Sequence, residues 1–89
     1  YEGIGVYLEA QETRWVVSSP ITGAPAELAG VRARDVIARV DGREIGGLAL
    51  EDVQKLLRGK AGTTVRVTIN RPGTAEPLEF DITRAVINI

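Results

Sequence analysis

The sequence contains neither cysteine nor histidine. Without cysteine there are no disulfides, no thiol nucleophile and no cysteine-bound metal, and the absence fits either side of a membrane. Without histidine the usual general base and the commonest metal ligand are missing as well. The common nucleophile–base pairs and most zinc sites cannot be built from such a chain, and no cofactor is expected. Charge of one sign is also lacking: 11 basic and 12 acidic residues leave a net charge of -1. No basic field exists to hold nucleic acid, and Tyr1 and Tyr7 are not interleaved with Lys or Arg as a stacking platform would be. Nucleic acid is therefore excluded as an expected partner. No apolar run approaches the ~18 residues that span a bilayer, so no transmembrane segment is expected in this stretch. Beginning on Tyr1 rather than methionine, it reads as part of a larger or processed chain. What is present describes one small domain: 89 residues, 44% hydrophobic and 26% charged. A chain of this size buries roughly 60–70% of its unfolded surface around one core.

The remainder is organised around Gly3-Ile4-Gly5-Val6. Two glycines alternating with aliphatic residues let consecutive backbone N–H groups converge without side chains in the way. Val6-Tyr7-Leu8-Glu9 follows as a strand, which would offer an open backbone edge beside such an anion cradle. The amides of Ile4, Gly5 and Val6 are the candidate carboxylate ligands. Val6, Tyr7 and Leu8 are the candidate strand for pairing with a peptide. The same glycines would equally serve a bulge or a bend.

Further along, Gln11-Glu12-Thr13 reads as a hairpin turn into the strand Arg14-Trp15-Val16-Val17-Ser18. Trp15, a large aromatic beside the proposed binding strand, is a ligand contact by one reading and is expected instead to pack on a strand face or an interdomain surface. Pro25 to Gly30 has proline at the start and glycine just past the end of a very short helix. Val36 to Val40 is a strand, and Asp41-Gly42 a tight turn into Arg43-Glu44-Ile45. Leu48 to Arg58 is the strongest helix: Leu50, Val53, Leu56 and Leu57 recur at three- and four-residue spacing, Glu51 and Asp52 occupy the first turn, and Gly59 closes it. One of those four aliphatics at least must turn to the core, because all four on one face would need a very wide apolar stripe. Thr63 to Ile69 alternates, with Val65, Val67 and Ile69 as the buried set. Asn70 to Glu76 is a loop, Leu78, Phe80 and Ile82 mark a last strand, and Thr83 to Ile89 stays extended. So apolar a tail is expected to continue into another domain.

Gly3-Ile4-Gly5-Val6, Pro25-Ala26-Glu27-Leu28-Ala29-Gly30-Val31, Asp35-Val36-Ile37, Val40-Asp41-Gly42, Leu56-Leu57-Arg58-Gly59 and Gly62-Thr63 together resemble the circularly permuted PDZ domain of carboxyl-terminal processing, or tail-specific, serine proteases. The resemblance runs through nearly the whole chain. It implies an α+β fold: a small β-barrel or sandwich of five to six strands capped by one main and one short helix, with Pro77 to Thr83 supplying the strand that opens an animal-type PDZ domain. Residues 1–89 would form one PDZ domain, followed in the parent chain by a catalytic core. Arg34 stands where the family usually has glycine; a positive φ there would cost roughly 1 kcal/mol.

The resemblance also implies a function. The C-terminal peptide of a substrate protein would add antiparallel to the strand and lie against the helix Leu50 to Arg58. Ile4, Val6, Leu50, Val53 and Leu57 are the pocket candidates, and Gln54 the polar groove residue. The domain would gate or deliver substrate to the protease core of the same chain, whose Ser/Lys pair lies outside this segment, in an extracytoplasmic compartment. Arg32 and Arg34 are candidates for an interdomain salt link. The alternative is a PDZ domain of a HtrA-like protease or of a secretion or scaffolding protein, which binds and gates nothing. A third reading, a small hydrolase using Ser18 or Ser19 with Lys55 or Lys60, is disfavoured because nothing in the sequence desolvates those lysines.

Overall fold

The structure, a computed structural model, describes residues 1–88. The alternating segments become strands: β1 (Glu2–Gly3), β2 (Val6–Gln11), β3 (Arg14–Pro20), β4 (Val36–Val40), β5 (Arg43–Glu44), β6 (Thr64–Asn70), β7 (Leu78–Thr83) and β8 (Ala85–Val86). The helices are α1 (Pro25–Ala29) and α2 (Leu50–Leu57). Six strands form one antiparallel sheet in the order β2-β3-β4-β6-β7, with β5 added to β4. This is the α+β architecture the resemblance implies, and β7, late in the sequence, pairs with β6 along its full length. Val65, Val67 and Ile69 are fully buried, as the period-two pattern requires. They share one core with Val17, Ile37, Val40 and Ile82 from the other strands and with Ala26, Val53 and Leu57 from the helices.

Three local features follow from chemistry readable in the chain. Pro25 opens α1, and Gly30 ends it in the left-handed region at φ 111°. Asp41 and Gly42, at φ 50° and 78°, make the turn between β4 and β5, and the Asp41 carboxylate accepts the Arg66 amide at 2.9 Å. Arg34 has φ 77°, with its amide donating to the Val17 carbonyl at 2.7 Å. The departure from glycine is thus accommodated by a strained arginine.

Beyond shifts at element ends, such as Gln11 and Asn70, which close β2 and β6 instead of lying in the turn and the loop, two features differ from the sequence reading. α2 begins at Leu50 instead of Leu48. Leu48 is half-buried against the core, and its carbonyl accepts the Trp15 indole N–H at 3.0 Å; Ala49, extended at φ -67° and ψ 153°, separates it from the first turn of the helix. The second difference is a two-stranded ribbon pairing β1 with β8, in the register Glu2↔Val86 and Gly3↔Ala85. The tail is extended as expected, but it is tied to the N-terminus, and the Ile87 amide donates to the Tyr1 carbonyl at 2.7 Å. Ile89, included in the extended reading, lies outside the described residues. Among the described residues no helix is long and apolar enough to cross a membrane.

Candidate functional site

Between β2 and α2 lies a cleft of about 250 Å³ lined by Tyr1, Ile4, Gly5, Val6, Tyr7, Leu8, Leu50, Gln54, Leu57 and Arg58. Its closed end is the Gly3-Ile4-Gly5-Val6 turn, which is held from outside the cleft. The Ile4 carbonyl accepts the Ala26 amide at 2.8 Å, and the Gly5 carbonyl accepts the Ile21 amide at 2.9 Å. Both carbonyls therefore point into the body of the domain. The Ile4 and Gly5 amides have no acceptor among the described residues. Gly5 sits at φ 81°, and a β-carbon on it would meet Ala24 Cβ at 2.5 Å. Only glycine allows that conformation in that space.

From this turn β2 runs along the cleft as the edge strand of the sheet. Its inner side is paired with β3. The Tyr7 carbonyl faces β3 and accepts the Ser18 hydroxyl at 3.1 Å. Because main-chain groups alternate along an antiparallel strand, those of Val6 and Leu8 turn toward the open edge. The opposite wall is α2. Leu50 is 41% exposed and Leu57 4% exposed, and Gln54 lies between them, one turn from Leu50. The cleft thus offers unpartnered amides at its closed end, a free backbone edge along one side and aliphatic side chains along the other.

Most of the residues expected to form a groove are brought together. Val53 is not: it is fully buried in the core and lines no part of the cleft. The helix turns Val53 inward and Leu50 outward, while Leu57 belongs to both surfaces. Arg32 and Arg34 are exposed beyond α1 and away from the cleft, and the Arg32 amide donates to Asp35 Oδ2 at 2.9 Å. Trp15 packs against the core, as expected of it. The Ser18 hydroxyl donates to Tyr7, and the Ser19 hydroxyl donates to the Pro20 carbonyl at 3.0 Å; Lys55 and Lys60 are exposed.

Sequence reasoning missed Tyr1 and Arg58, which stack at the closed end with the guanidinium carbon 4.3 Å from the ring centroid. Just past α2 the Gly59 amide donates to the Glu2 carbonyl at 3.3 Å, a contact between distant segments that carries no short-range signal. Sequence reasoning also missed Arg84. That guanidinium donates to the carbonyls of Leu57 at 3.0 Å and Leu56 at 3.1 Å, placing a positive charge at the C-terminal end of α2 where the helix dipole favours one. The groups whose titration is shifted lie outside the cleft. The Arg66 hydrogen bond holds the Asp81 carboxyl below the ordinary aspartate range, and the Asp35 hydrogen bond raises the Arg71 guanidinium.

The profile of the PDZ domain family matches residues 16–71, from within β3 to just beyond β6. A probable CtpA-like serine protease of Staphylococcus haemolyticus is 40% identical over all 89 residues, which make up 18% of that protein. Among solved structures, the photosystem II D1 C-terminal processing protease aligns over 99% of this chain and 24% of its own, with TM-score 0.92 and 38% identity. The PDZ domain of a carboxy-terminal protease from Vibrio cholerae, in complex with peptide, aligns over 99% of this chain and 97% of its own, with TM-score 0.91 and 27% identity. The chain thus spans about a fifth of the curated relative's length. With more than half of its residues matching the family profile and its backbone following these structures nearly end to end, the chain belongs to the PDZ domain family.

Proposed function

We propose that the cleft captures the free C-terminus of a polypeptide, which adds as an antiparallel strand to the open edge of β2. The terminal carboxylate lies against the amides of Ile4, Gly5 and Val6, and the last side chain sits between Ile4, Val6, Leu50 and Leu57. One observation carries this reading: the unpartnered Ile4 and Gly5 amides stand at the head of an unpaired strand edge. Charge-assisted hydrogen bonds to a carboxylate are about twice as strong as neutral ones, and Arg58 adds a positive charge at the same end. Main-chain pairing supplies affinity irrespective of sequence, and the pocket reads the terminal residue. Burying one aliphatic side chain contributes ~1.5–3 kcal/mol. After ordering costs, affinity in the micromolar class is expected, about -8 kcal/mol or weaker.

In the parent protein the domain delivers or gates substrate for a carboxyl-terminal processing serine protease whose Ser/Lys core lies elsewhere in the chain, with Arg32 and Arg34 available to that core. The support is the 40% identity to a probable CtpA-like serine protease and the 38% identity to a C-terminal processing protease. Titration with a short peptide ending in Ala or Val, beside the same peptide as its C-terminal amide, tests the site. The acid is expected to bind at least tenfold more tightly; equal binding by the amide sinks the carboxylate cradle. A catalytic domain upstream, or none at all, would instead favour a HtrA-like or scaffolding parent.

A further inference from the structure

Arg84 stands half-buried between β7 and β8, and it makes no salt bridge with a carboxylate among the described residues. Its guanidinium nitrogens donate to neutral oxygens instead: Nε to the Leu57 carbonyl at 3.0 Å, Nη2 to the Leu56 carbonyl at 3.1 Å and Nη1 to the Thr63 hydroxyl at 3.0 Å. The first two acceptors are carbonyls that the last turn of a helix leaves without intrahelical partners. Gly59 makes room for the fork, since a β-carbon there would lie 3.0 Å from its Cζ and Nε.

The backbone around Arg84 is tied to the other wall of the cleft. Ala85, the next residue, pairs with Gly3, which directly precedes the Ile4 and Gly5 amides. The Arg84 amide donates to the Thr63 carbonyl, and the Arg84 carbonyl accepts the Gly62 amide, both at 2.8 Å. Glu2, beside Gly3, accepts the Gly59 amide at 3.3 Å on its carbonyl and the Ala61 amide at 3.0 Å on its carboxylate. The end of α2, which carries Leu57, and the glycine turn, which carries Ile4, are thus fastened to one ribbon, and Arg84 is the side chain that reaches from that ribbon to the helix. We infer that Arg84 is a positioning residue: it fixes the gap between Leu57 and the glycine turn, and so determines how large a terminal side chain the cleft accepts. A planar guanidinium spans two adjacent carbonyls in one geometry, which an ammonium on a flexible stem does not. Packed walls respond to a change of even one methylene, so a small shift of Leu57 alters which side chain fits. The inference rests on the proposed capture of a C-terminus and adds to it the group that sets its selectivity.

Arg84→Lys tests it, because lysine keeps the positive charge at the helix end and loses the fork. Calorimetric titration of the 89-residue chain with two peptides that differ only in ending on Ala or Leu gives an affinity ratio for the terminal residue. The preference for Leu over Ala is expected to rise severalfold in Arg84→Lys, as the released helix end lets the cleft widen, while a urea melt shows the chain still folded. A ratio that holds or falls, whether or not both affinities drop together, overturns the proposal and leaves Arg84 a support of the helix end alone. Should Arg84→Lys not fold, Gly59→Ala, whose β-carbon displaces the fork without removing it, is held to the same ratio. Failure of the unsubstituted chain to bind either peptide overturns peptide capture and this inference together. Binding there with an unaltered ratio in the variants overturns this inference alone.

Discussion

A β-carbon on Gly5 would lie 2.5 Å from the Cβ of Ala24, so the closed end of the cleft is set by contact between the glycine turn and the residue that caps α1. Gly5→Ala must relieve that clash and abandon φ 81°, at a cost of about 1–3 kcal/mol. The urea midpoint is expected to fall accordingly. Binding of a free-acid peptide is expected to fall further than stability explains, because the Ile4 and Gly5 amides lose their alignment. Ala24→Gly in the same chain restores part of the stability and none of the φ, so affinity stays low. Full affinity in Gly5→Ala would show that the turn is not the carboxylate site.

Leu50 and Leu57 share the wall of the cleft and differ in burial. Leu50→Ala removes a side chain that is 41% exposed, and stability is expected to stay within about 0.5 kcal/mol while peptide affinity drops severalfold. Leu57→Ala takes a core residue and is expected to destabilise by about 2–5 kcal/mol. Parallel calorimetric titrations and urea melts separate the two effects. Unchanged affinity in Leu50→Ala would remove α2 from the binding surface.

Arg34 occupies left-handed backbone at φ 77°. Arg34→Gly relieves roughly 1–2 kcal/mol of strain and gives back part of it through greater freedom of the unfolded chain. A net gain of roughly 0.5–1 kcal/mol is expected, read as a raised urea midpoint with an unchanged slope.

The two Arg–Asp hydrogen-bonded pairs are expected to respond differently. Asp35 is 1% exposed and takes two hydrogen bonds from Arg71, at 2.9 Å each, while Arg71 also donates to the Gly30 carbonyl. Arg71→Ala leaves a buried carboxylate without its partner and is expected to destabilise far more than Arg66→Ala, with Asp35→Asn in the same chain recovering part of the loss. Arg66 and Asp81 are both more than half exposed, so their pair is screened and weak. Its pH dependence has a definite sign. The folded-state pKa of Asp81 is depressed, so its contribution is fully present above the unfolded aspartate value of about 3.9. The contribution is lost as pH falls through the lower folded value. The small stability difference between the protein and Asp81→Asn should persist at neutral pH and vanish in acid, as measured by urea midpoints at both extremes.

Most elements of this fold are legible in local chemistry. Alternation in Val65, Val67 and Ile69, the Pro25 and Gly30 ends of α1, and the Asp41-Gly42 turn each act over a few residues, and each appears where it was expected. The glycine turn before β2 was legible for the same reason. Which aliphatic residues of α2 serve the cleft was not, since a period of three to four identifies a shared stripe without identifying what each part of it meets. Val53 and Leu50 separate only when the sheet covers one side of the helix and leaves the other open.

The amino-acid sequence by itself determined the order and type of the elements, the glycine turn and one buried face for each long strand, because these depend on backbone sterics and on side-chain period. Only the tertiary structure decided the contacts between distant segments. It brought Arg71 to Asp35 across 36 positions, Arg58 to Tyr1, and β1 to β8. Such pairings require the chain to close long loops, and no window of neighbouring residues contains the partner that stabilises the closure.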